Sequence, residues 1–444
     1  MIGAILIVIA IILYFKPRYR YLSYFLYLSF MMGGLNLWTD TVTGIKTMDM
    51  AVIYTFVISA YLVFACKWKI PKWPIKKYYI AVLIVIVICV LFSYFHYGLS
   101  PFQILQGGRS YLLLFSFPIL IKANGTELRK VLKTLLFFCV VTSVLYIFQI
   151  VLKRPLMPYG HFDFDSATGL PRFYNMPVNL IFFLTLSFLL PKFFKGKTWV
   201  YQVIFFVAMV CTLGRTFIVT TIATILLALL MQGKMKRIGI AVSALFILML
   251  PFADVISDRF TGAGGTSDFT QIANGQYRDY GSGSSGTMVY RFAWVYERYD
   301  YMRKQPLDEF LFGLGLVSDS QPWVLQHYSF SIGIINTDTG EAYQLGTPDI
   351  SYGNLLTKLG MLGGIIYIAF ALGLTTFLYR SRKENVLILI SSAIMITAFL
   401  NSFSGTTLSD PSNFALIFFI MSILYRYNSN SNKTQLIDDE SSTH

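Results

Sequence analysis

The sequence predicts an all-α fold: a polytopic integral membrane helical bundle of about 13 spans, with one large outer loop that contains an amphipathic helix. Of the 444 residues, 55% are apolar or aromatic and only 13% are charged, about half the charged share of an average soluble domain. The apolar residues gather in blocks separated by short basic patches, as helices that cross lipid do. This composition excludes a water-soluble globular enzyme.

The apolar blocks give the predicted spans in order. They lie near residues 2–15, 21–38, 49–66, 78–95, 110–121, 134–151, 174–190, 199–213, 216–232, 238–253, 352–379, 386–402 and 412–425. The first block lacks a basic n-region and a small-residue cleavage site, so we interpret it as a span and not as a signal peptide. The predicted domains are a membrane bundle of about ten spans (1–253), a large outer loop (254–351), C-terminal spans (352–425) and a cytoplasmic tail (426–444).

Basic residues mark one side of the predicted membrane. Alternate connections hold 23 of the 36 Lys and Arg residues with only five acidic residues, so the positive-inside rule makes these connections cytoplasmic. The N-terminus is then outside and the C-terminus is cytoplasmic. The loop at 254–351 carries six basic and twelve acidic side chains and faces outward. Since this distribution explains the net charge of +14, we do not expect nucleic acid as a partner.

The large loop is predicted to open with a flexible stretch and to continue as an amphipathic helix. Residues 261–286 are rich in Gly and Ser, a composition that resists regular structure. From Met288 to Lys304 apolar side chains recur every three or four positions, at Phe292, Val295, Tyr299 and Met302. Such a stripe is typical of a helix that rests on the membrane or on other spans, and Pro306 ends the pattern.

Cysteines and histidines give no indication of a metal or redox centre. The four cysteines lie in apolar blocks at unrelated spacings, and His96, His161 and His327 are isolated in outer loops. Neither pattern matches a ligand set or a disulfide framework. We therefore expect no metal and no cofactor.

Arginine dominates the basic residues of the predicted outer side. A guanidinium keeps its charge and offers a planar fork of donors that matches phosphate or carboxylate oxygens. Arg215 is the strongest candidate, because it lies between two spans joined by almost no loop, where an unpaired cation is costly unless it binds an anion. The alternative is an arginine that snorkels to the membrane boundary.

Three other arginines, and Arg172 described below, are weaker candidates for anion binding. Arg109 follows two glycines that allow close backbone approach, or it is an interfacial anchor. Arg291 and Arg298 are seven residues apart on one face of the loop helix and could straddle a diphosphate. The alternative is that they pair with Glu297 and Asp300 or stay solvated.

Arg172 precedes a span and is a candidate of the same kind as Arg109. Asp349 follows Pro348 at the point where the large loop returns to the membrane. Its carboxylate could cap the N-terminus of the following helix, or it could act as a general base for a hydroxyl, and the sequence favours the two roles equally.

These segments together resemble the Wzy-type O-antigen polymerases and the related O-antigen ligases. GRTFIVTTIATILLALL, from Gly214, is similar to the family's Gly-Arg-Thr or Ser-Arg-Thr segment that opens a span. YRFAWVYERYDYMRKQPLDEFLFGLG, from Tyr290, resembles its Arg and Trp on a loop helix, followed by Pro and Gly-x-Gly. DISYGNLLTKLGMLGG, from Asp349, resembles its re-entry segment, although Asp349 and Ile350 stand where the ligases carry His and Asn.

The resemblance implies a glycosyltransferase in the bacterial cytoplasmic membrane, surrounded by membrane lipids. It would join polyprenyl-diphosphate-linked glycans into a surface polysaccharide, of O-antigen or capsule type, with a chain-length regulator protein as a family partner. The implied site has Arg215, Arg291 and Asp349 as catalytic residues. The implied substrate-binding residues are Arg109, Arg172, Arg298, Tyr352 and Asn354. A ligase and a transporter or flippase remain the alternatives.

Overall fold

The computed structural model describes residues 2–38, 43–158, 162–164, 169–233, 239, 271–279, 287–333, 343–346 and 350–429. Secondary structure in these ranges is almost entirely helical, which confirms the predicted all-α class. The helices, numbered in chain order, are α1 (Ile2–Tyr14), α2 (Arg20–Met31), α3 (Thr47–Ala60), α4 (Lys76–Phe95), α5 (Pro101–Leu112), α6 (Phe117–Leu120), α7 (Gly125–Leu152), α8 (Leu180–Leu189), α9 (Thr198–Cys211), α10 (Arg215–Met231), α11 (Thr287–Met302), α12 (Leu307–Phe312), α13 (Pro322–His327), α14 (Ser351–Arg380), α15 (Val386–Asn401), α16 (Ala415–Ile420) and α17 (Ser422–Ser429).

Short irregular helical turns connect several of these helices. A π-helical turn (Tyr61–Ala65) continues α3, and 3-10 turns lie at Gly33–Asn36, Leu113–Ser116, Pro191–Phe194, Gln276–Asp279 and Pro411–Phe414. Two short antiparallel strands, β1 (Phe162–Phe164) and β2 (Pro171–Phe173), pair with Phe162 opposite Phe173. This hairpin was not predicted from the sequence. It ends directly before the predicted span at 174–190, whose helix begins only at Leu180.

Four helices in the described ranges are long and apolar enough to cross a membrane. They are α3 with its π turn (Thr47–Ala65), α4, α7 and α14. Shorter apolar helices of 10–17 residues are α1, α8, α9, α10, α15 and the segment Pro411–Arg426. These findings support a helical membrane protein. The count of about 13 spans stays a prediction, and the predicted span at 238–253 lies outside the described residues except for Gly239.

Long-range helix pairs build the core and join polar groups inside it. Helix α4 packs along α14, α10 along α15, and α7 against α2 and α9. Thr224 of α10 and Thr397 of α15 share a hydroxyl hydrogen bond of 2.8 Å. Between α1, α2 and α3, the Ser23 hydroxyl lies 2.6 Å from both the Ala10 carbonyl and the Tyr54 hydroxyl. Because lipid offers no competing partner for these groups, such bonds link the helices.

The predicted span at 110–121 is wrong as a continuous helix. Helix α5 begins earlier, at Pro101, because Ser100 and Gln103 form a reciprocal capping box in which each side chain accepts from the other residue's backbone N–H. It ends at Leu112 and is followed by the 3-10 turn and by α6. Arg109 therefore lies in the last turn of α5 and not at the start of a span.

The loop helix α11 occurs where it was predicted, but its buried face differs from the expected stripe. Val289, Ala293, Trp294, Arg298 and Met302 are buried. Of the predicted stripe, Tyr299 is exposed and only Met302 is buried. Phe292 and Val295 are partly buried, and the buried face also includes the Arg298 guanidinium, which is enclosed by protein groups. The face that contains Trp294 packs on α14, so α11 rests on a span.

Two glycines, Gly313 and Gly360, form a joint between the loop and α14. Gly360 has φ 69° and ψ −175° inside α14, so the helix is broken there. Gly313, directly after α12, has φ 91°, and the next residue, Leu314, donates its backbone N–H to the Thr357 carbonyl at 2.8 Å. Cβ atoms on these glycines would overlap the facing backbone. The joint fixes the loop to the first nine residues of α14.

The neighbouring glycines Gly107 and Gly108 allow a test of this loop packing. A Cβ on Gly107 would overlap the backbone of Val317, whereas a Cβ on Gly108 would meet only the Leu316 side chain, at 3.3 Å. We expect Gly107→Ala to lower the thermal unfolding midpoint clearly more than Gly108→Ala, because backbone cannot move aside as a leucine methyl can. Equal midpoints of the two purified variants would contradict this packing.

Candidate functional site

Arg215 is the first residue of α10. Helix α9 ends at Cys211 and only three residues separate it from α10, with Leu213 in the left-handed region at φ 50° and Gly214 at the N-cap. This tight reversal places Arg215 where the unbonded N–H groups of α10 also face, and both favour an anion. The side chain is half-buried.

A cavity of about 320 Å³ opens beside Arg215, between α10 and α15. It is lined by Arg215, Thr216, Val219, Thr220, Ala223, Thr397, Leu400, Asn401 and Ser404. Five of these nine residues carry hydroxyl or amide groups, the types that hydrogen-bond to phosphate or sugar oxygens. Thr397, Asn401 and Ser404 donate to other groups of the chain, which leaves Thr216 and Thr220 as the hydroxyls for a ligand. Val219 is 52% exposed and Leu400 is 71% exposed. The cavity therefore combines a cation, neutral donors and an exposed apolar rim.

Within the described residues, the Arg215 guanidinium makes no hydrogen bond and no ion pair. The ion pairs of the described chain involve other residues, such as Arg109 with Asp49 and Arg20 with Glu127. A half-buried cation without a protein partner is uncommon, because the cost of removing it from water is usually offset by an acid. The geometry at Arg215 suits an external anion.

The start of α14 borders the segment that closes this cavity. The Ser351 backbone N–H donates to the Ser402 carbonyl at 2.9 Å, and the Ser351 hydroxyl donates to the Gly405 carbonyl at 2.7 Å. The Tyr352 ring lies 4.9 Å from the Phe403 ring, measured between centroids. Since Leu400, Asn401 and Ser404 line the cavity, the first turn of α14 lies directly beside it.

Asp349 lies outside the described residues. Helix α14 begins at Ser351, and Ile350 occupies its N-cap position without a side-chain bond. The N-cap position expected for Asp349 is thus held by the next residue, and the role of the Asp349 carboxylate stays a prediction. Asn354, in the first turn of α14, is half-buried, and its backbone N–H lies 3.4 Å from the Ile350 carbonyl oxygen.

Trp294 connects the loop helix to the same turn of α14. A Cβ on Gly353 would lie 2.5 Å from Trp294 Cζ3, so only glycine allows the indole to pack there. Arg291, one turn before Trp294 on α11, is half-buried, with Nη1 3.5 Å from Met288 Sδ. The three segments that carry the family resemblance are thus neighbours in space. Helix α10 lines the cavity, the first turn of α14 lies beside it, and α11 packs on α14 through Trp294.

Arg298 is completely buried and is bonded to the protein itself. Its side chain donates to Glu297 Oε2 at 2.7 Å and lies 4.2 Å from the Trp294 ring centroid. Burial in these surroundings lowers the pKa of Arg298 to about 10, with Glu297 opposing the shift. No surface of Arg298 is exposed. Of the alternatives that the sequence left open, the structure shows the pairing with Glu297.

Arg109 and Arg172 have different surroundings. Arg109 pairs with Asp49 at 3.2 Å, so its charge is balanced by a carboxylate of α3. Arg172, on β2, stacks over the Tyr174 ring at 5.3 Å. Its Nε is buried without a hydrogen-bond partner in the described chain. The segment that follows β2 reaches the cavity region, since Met176 Cε would lie 3.9 Å from a Cβ on Gly214.

The neutral polar residues of the cavity are not among the site residues predicted from the sequence. Thr216 and Thr220 are one turn apart in an apolar block, directly after Arg215, and this spacing was a usable signal for one polar face. Thr397, Asn401 and Ser404 belong to α15 and its end, and only the folded structure brings them to α10. Their sequence context gives no sign of this proximity.

No group of three or more His, Cys, Asp or Glu side chains suited to a metal ion occurs in the described ranges. No family model matches the chain, and no curated protein matches it significantly.

Proposed function

We propose that this protein is a glycosyltransferase of the bacterial cytoplasmic membrane that polymerises glycans linked to a polyprenyl diphosphate. The proposed orientation has the N-terminus outside, the C-terminus in the cytoplasm and the large loop at the outer face. Its support is the distribution of basic residues among alternate connections. The motif resemblance around Gly214, Tyr290 and Asp349 supports the polymerase assignment.

The observation that carries this proposal is Arg215, which has no partner among the described residues and lies in a cavity with a polar lining and an apolar rim. A lipid diphosphate presents anionic oxygens and a hydrocarbon chain in one molecule. The guanidinium, Thr216 and Thr220 supply donors for the oxygens, and the exposed Val219 and Leu400 supply apolar surface for the chain. A soluble sugar nucleotide has no hydrocarbon chain that could contact the exposed Val219 and Leu400 side chains.

The proposed reaction needs little covalent chemistry from the protein. A hydroxyl of the acceptor glycan attacks the anomeric carbon of the donor, and the C–O bond to the diphosphate breaks. The diphosphate leaves with the bonding electron pair, while the hydroxyl proton passes to a base. Arg215 stabilises the charge that develops on the leaving diphosphate. We assign the base role to Asp349, because it lies among the three residues that join Gly346 to Ile350, next to the turn of α14 beside the cavity.

The other arginines have unequal roles in this proposal. Arg291 is retained as the second diphosphate ligand, because it lies on the helix that packs on α14 through Trp294. Arg172 is retained as a donor near the cavity, since its Nε has no bond within the described chain. We assign Arg109 and Arg298 no direct substrate contact in this proposal, because their guanidiniums are bonded to Asp49 and Glu297.

The proposal is tested with purified full-length protein in detergent and a lipid-diphosphate-linked oligosaccharide as the only substrate. We expect a ladder of longer glycans that stay attached to the lipid diphosphate. Transfer of glycan to a different lipid acceptor without lengthening would identify a ligase instead. Absence of any covalent product, together with movement of the substrate across reconstituted vesicles, would identify a flippase.

A further inference from the structure

Residues 343–346, here called the strap, are held by hydrogen bonds at five of their eight backbone N–H and C=O groups. The Tyr343 and Gln344 carbonyls accept hydrogen bonds from Arg298, at 3.3 and 3.1 Å. The Gln344 and Leu345 N–H groups donate to Asp319 Oδ1, at 2.9 and 2.7 Å. Buried backbone groups need such partners, and here side chains from separate segments supply them in place of a neighbouring strand or helix.

Hydrogen bonds connect the strap to two helices, α14 and α11. The Leu345 carbonyl accepts from the Thr357 hydroxyl of α14 at 2.8 Å, and the Gln344 side chain exchanges two bonds with the backbone of Phe330. Arg298 connects these parts to α11, since its guanidinium lies between the Trp294 and Phe330 rings, 4.2 and 4.5 Å from their centroids. The strap is therefore fixed to the loop helix and to α14 together.

The chemistry of this contact requires arginine. Nε and Nη2 donate in different directions to two successive carbonyls, while Nη1 bonds Glu297. A lysine ammonium is a single point and cannot reproduce this fork or stack flat between two rings. Burying a cation costs free energy, and here the bonds from Arg298 to the strap and to Glu297 offset that cost.

We propose that Arg298 is a positioning residue that clamps the strap between α11 and α14. The strap ends at Gly346, and three residues, among them Asp349, join it to Ile350 and the turn of α14 beside the Arg215 cavity. The clamp sets where the chain enters this turn. Its consequence for catalysis rests on the proposed function, whereas the clamp itself does not.

Hydrogen–deuterium exchange of the full-length protein in detergent tests the clamp. Arg298→Lys and, separately, Asp319→Ala are expected to accelerate exchange of the Gln344 and Leu345 amides by about tenfold or more, since each removes bonds that hold the strap. Peptides from α4 are expected to keep their rates. The matched control is Arg303→Gln, directly after the same helix but with a side chain that is 54% exposed.

A kinetic measurement separates positioning from substrate binding. In the chain-extension assay, we expect Arg298→Lys to lower kcat with little change in the KM for the lipid-linked donor, because the Arg215 cavity is untouched. Unchanged strap exchange in both variants, or equal acceleration in all peptides, would overturn the clamp. A raised KM with normal kcat would overturn positioning in favour of substrate contact.

The exchange and kinetic experiments test separate claims. If the wild-type protein extends no glycan, the proposed function and the catalytic role of the clamp are contradicted, while the exchange rates still decide whether Arg298 holds the strap. The Asp319→Ala variant decides it even if Arg298→Lys does not reach the membrane.

Discussion

Arg215→Ala is expected to lower chain extension by about 100-fold or more, because two charge-assisted bonds to the diphosphate would be lost at roughly 1.5–3 kcal/mol each. The protein level in the membrane is expected to stay near that of wild type. Arg215 bonds no described residue, so its removal leaves no described acid without a partner. Arg215→Lys is expected to fall between wild type and alanine, since it keeps the charge and loses the fork.

Arg380→Ala is the matched control for this substitution. Arg380 is also an arginine at the end of an apolar helix. It is exposed, and it is the last residue of α14, whereas the cavity lies beside the first turn of that helix. We expect it to support a normal ladder of glycan lengths on a gel. A normal ladder from Arg215→Ala, at equal protein level, would contradict the assigned role of the cavity.

Gly360→Ala is expected to destabilise the protein by about 3 kcal/mol or more. Two costs add at this position. The backbone has φ 69°, which an alanine adopts only with strain, and a Cβ would overlap the backbone of Leu311 and Gly313. Because both neighbours are main chain, no side-chain rotation relieves the overlap. The change is measured as the thermal unfolding midpoint of the purified variant in detergent.

Gly364→Ala tests whether the effect is specific to the joint. Gly364 is also buried in α14, four residues further along, but its backbone is helical. Its added Cβ would meet Leu355 at an ordinary distance of 3.7 Å. We expect little loss of stability, or a small gain from the helix propensity of alanine. Equal unfolding midpoints for the two variants would mean that the break at Gly360 is not required.

The positions of the apolar helices could largely be predicted from hydropathy. The predicted blocks at 216–232 and 386–402 fall on α10 and α15 within one residue. Where the chain is only moderately apolar, the prediction was less accurate. The capping box at Ser100 and Gln103 was readable as a helix start, yet hydropathy placed the element nine residues later.

The buried face of α11 shows a limit of periodicity. Counting apolar positions assumes that charged side chains face water, and Arg298 does not. Two aromatic rings, Glu297 and the strap carbonyls replace its hydration, and these groups come from segments up to 46 residues away. Only tertiary structure reveals such partners.

Pairing is also what separates the candidate arginines. The sequence marks Arg109 and Arg215 alike, as arginines at the edges of apolar blocks. The structure brings Asp49, sixty residues earlier, to Arg109 and brings no described acid to Arg215. The distinction depends on helix packing, which residue spacing does not encode.

The central claim, that the Arg215 cavity holds the lipid diphosphate, is tested most directly by photocrosslinking. A polyprenyl diphosphate with a photoreactive group next to the diphosphate is bound to the purified protein, irradiated and mapped by peptide mass spectrometry. We expect labels on Arg215–Ala223 of α10 and on Thr397–Ser404, with loss of label when unlabelled lipid diphosphate competes or when Arg215 is alanine. Labels confined to other segments, or unaffected by Arg215→Ala, would contradict the account.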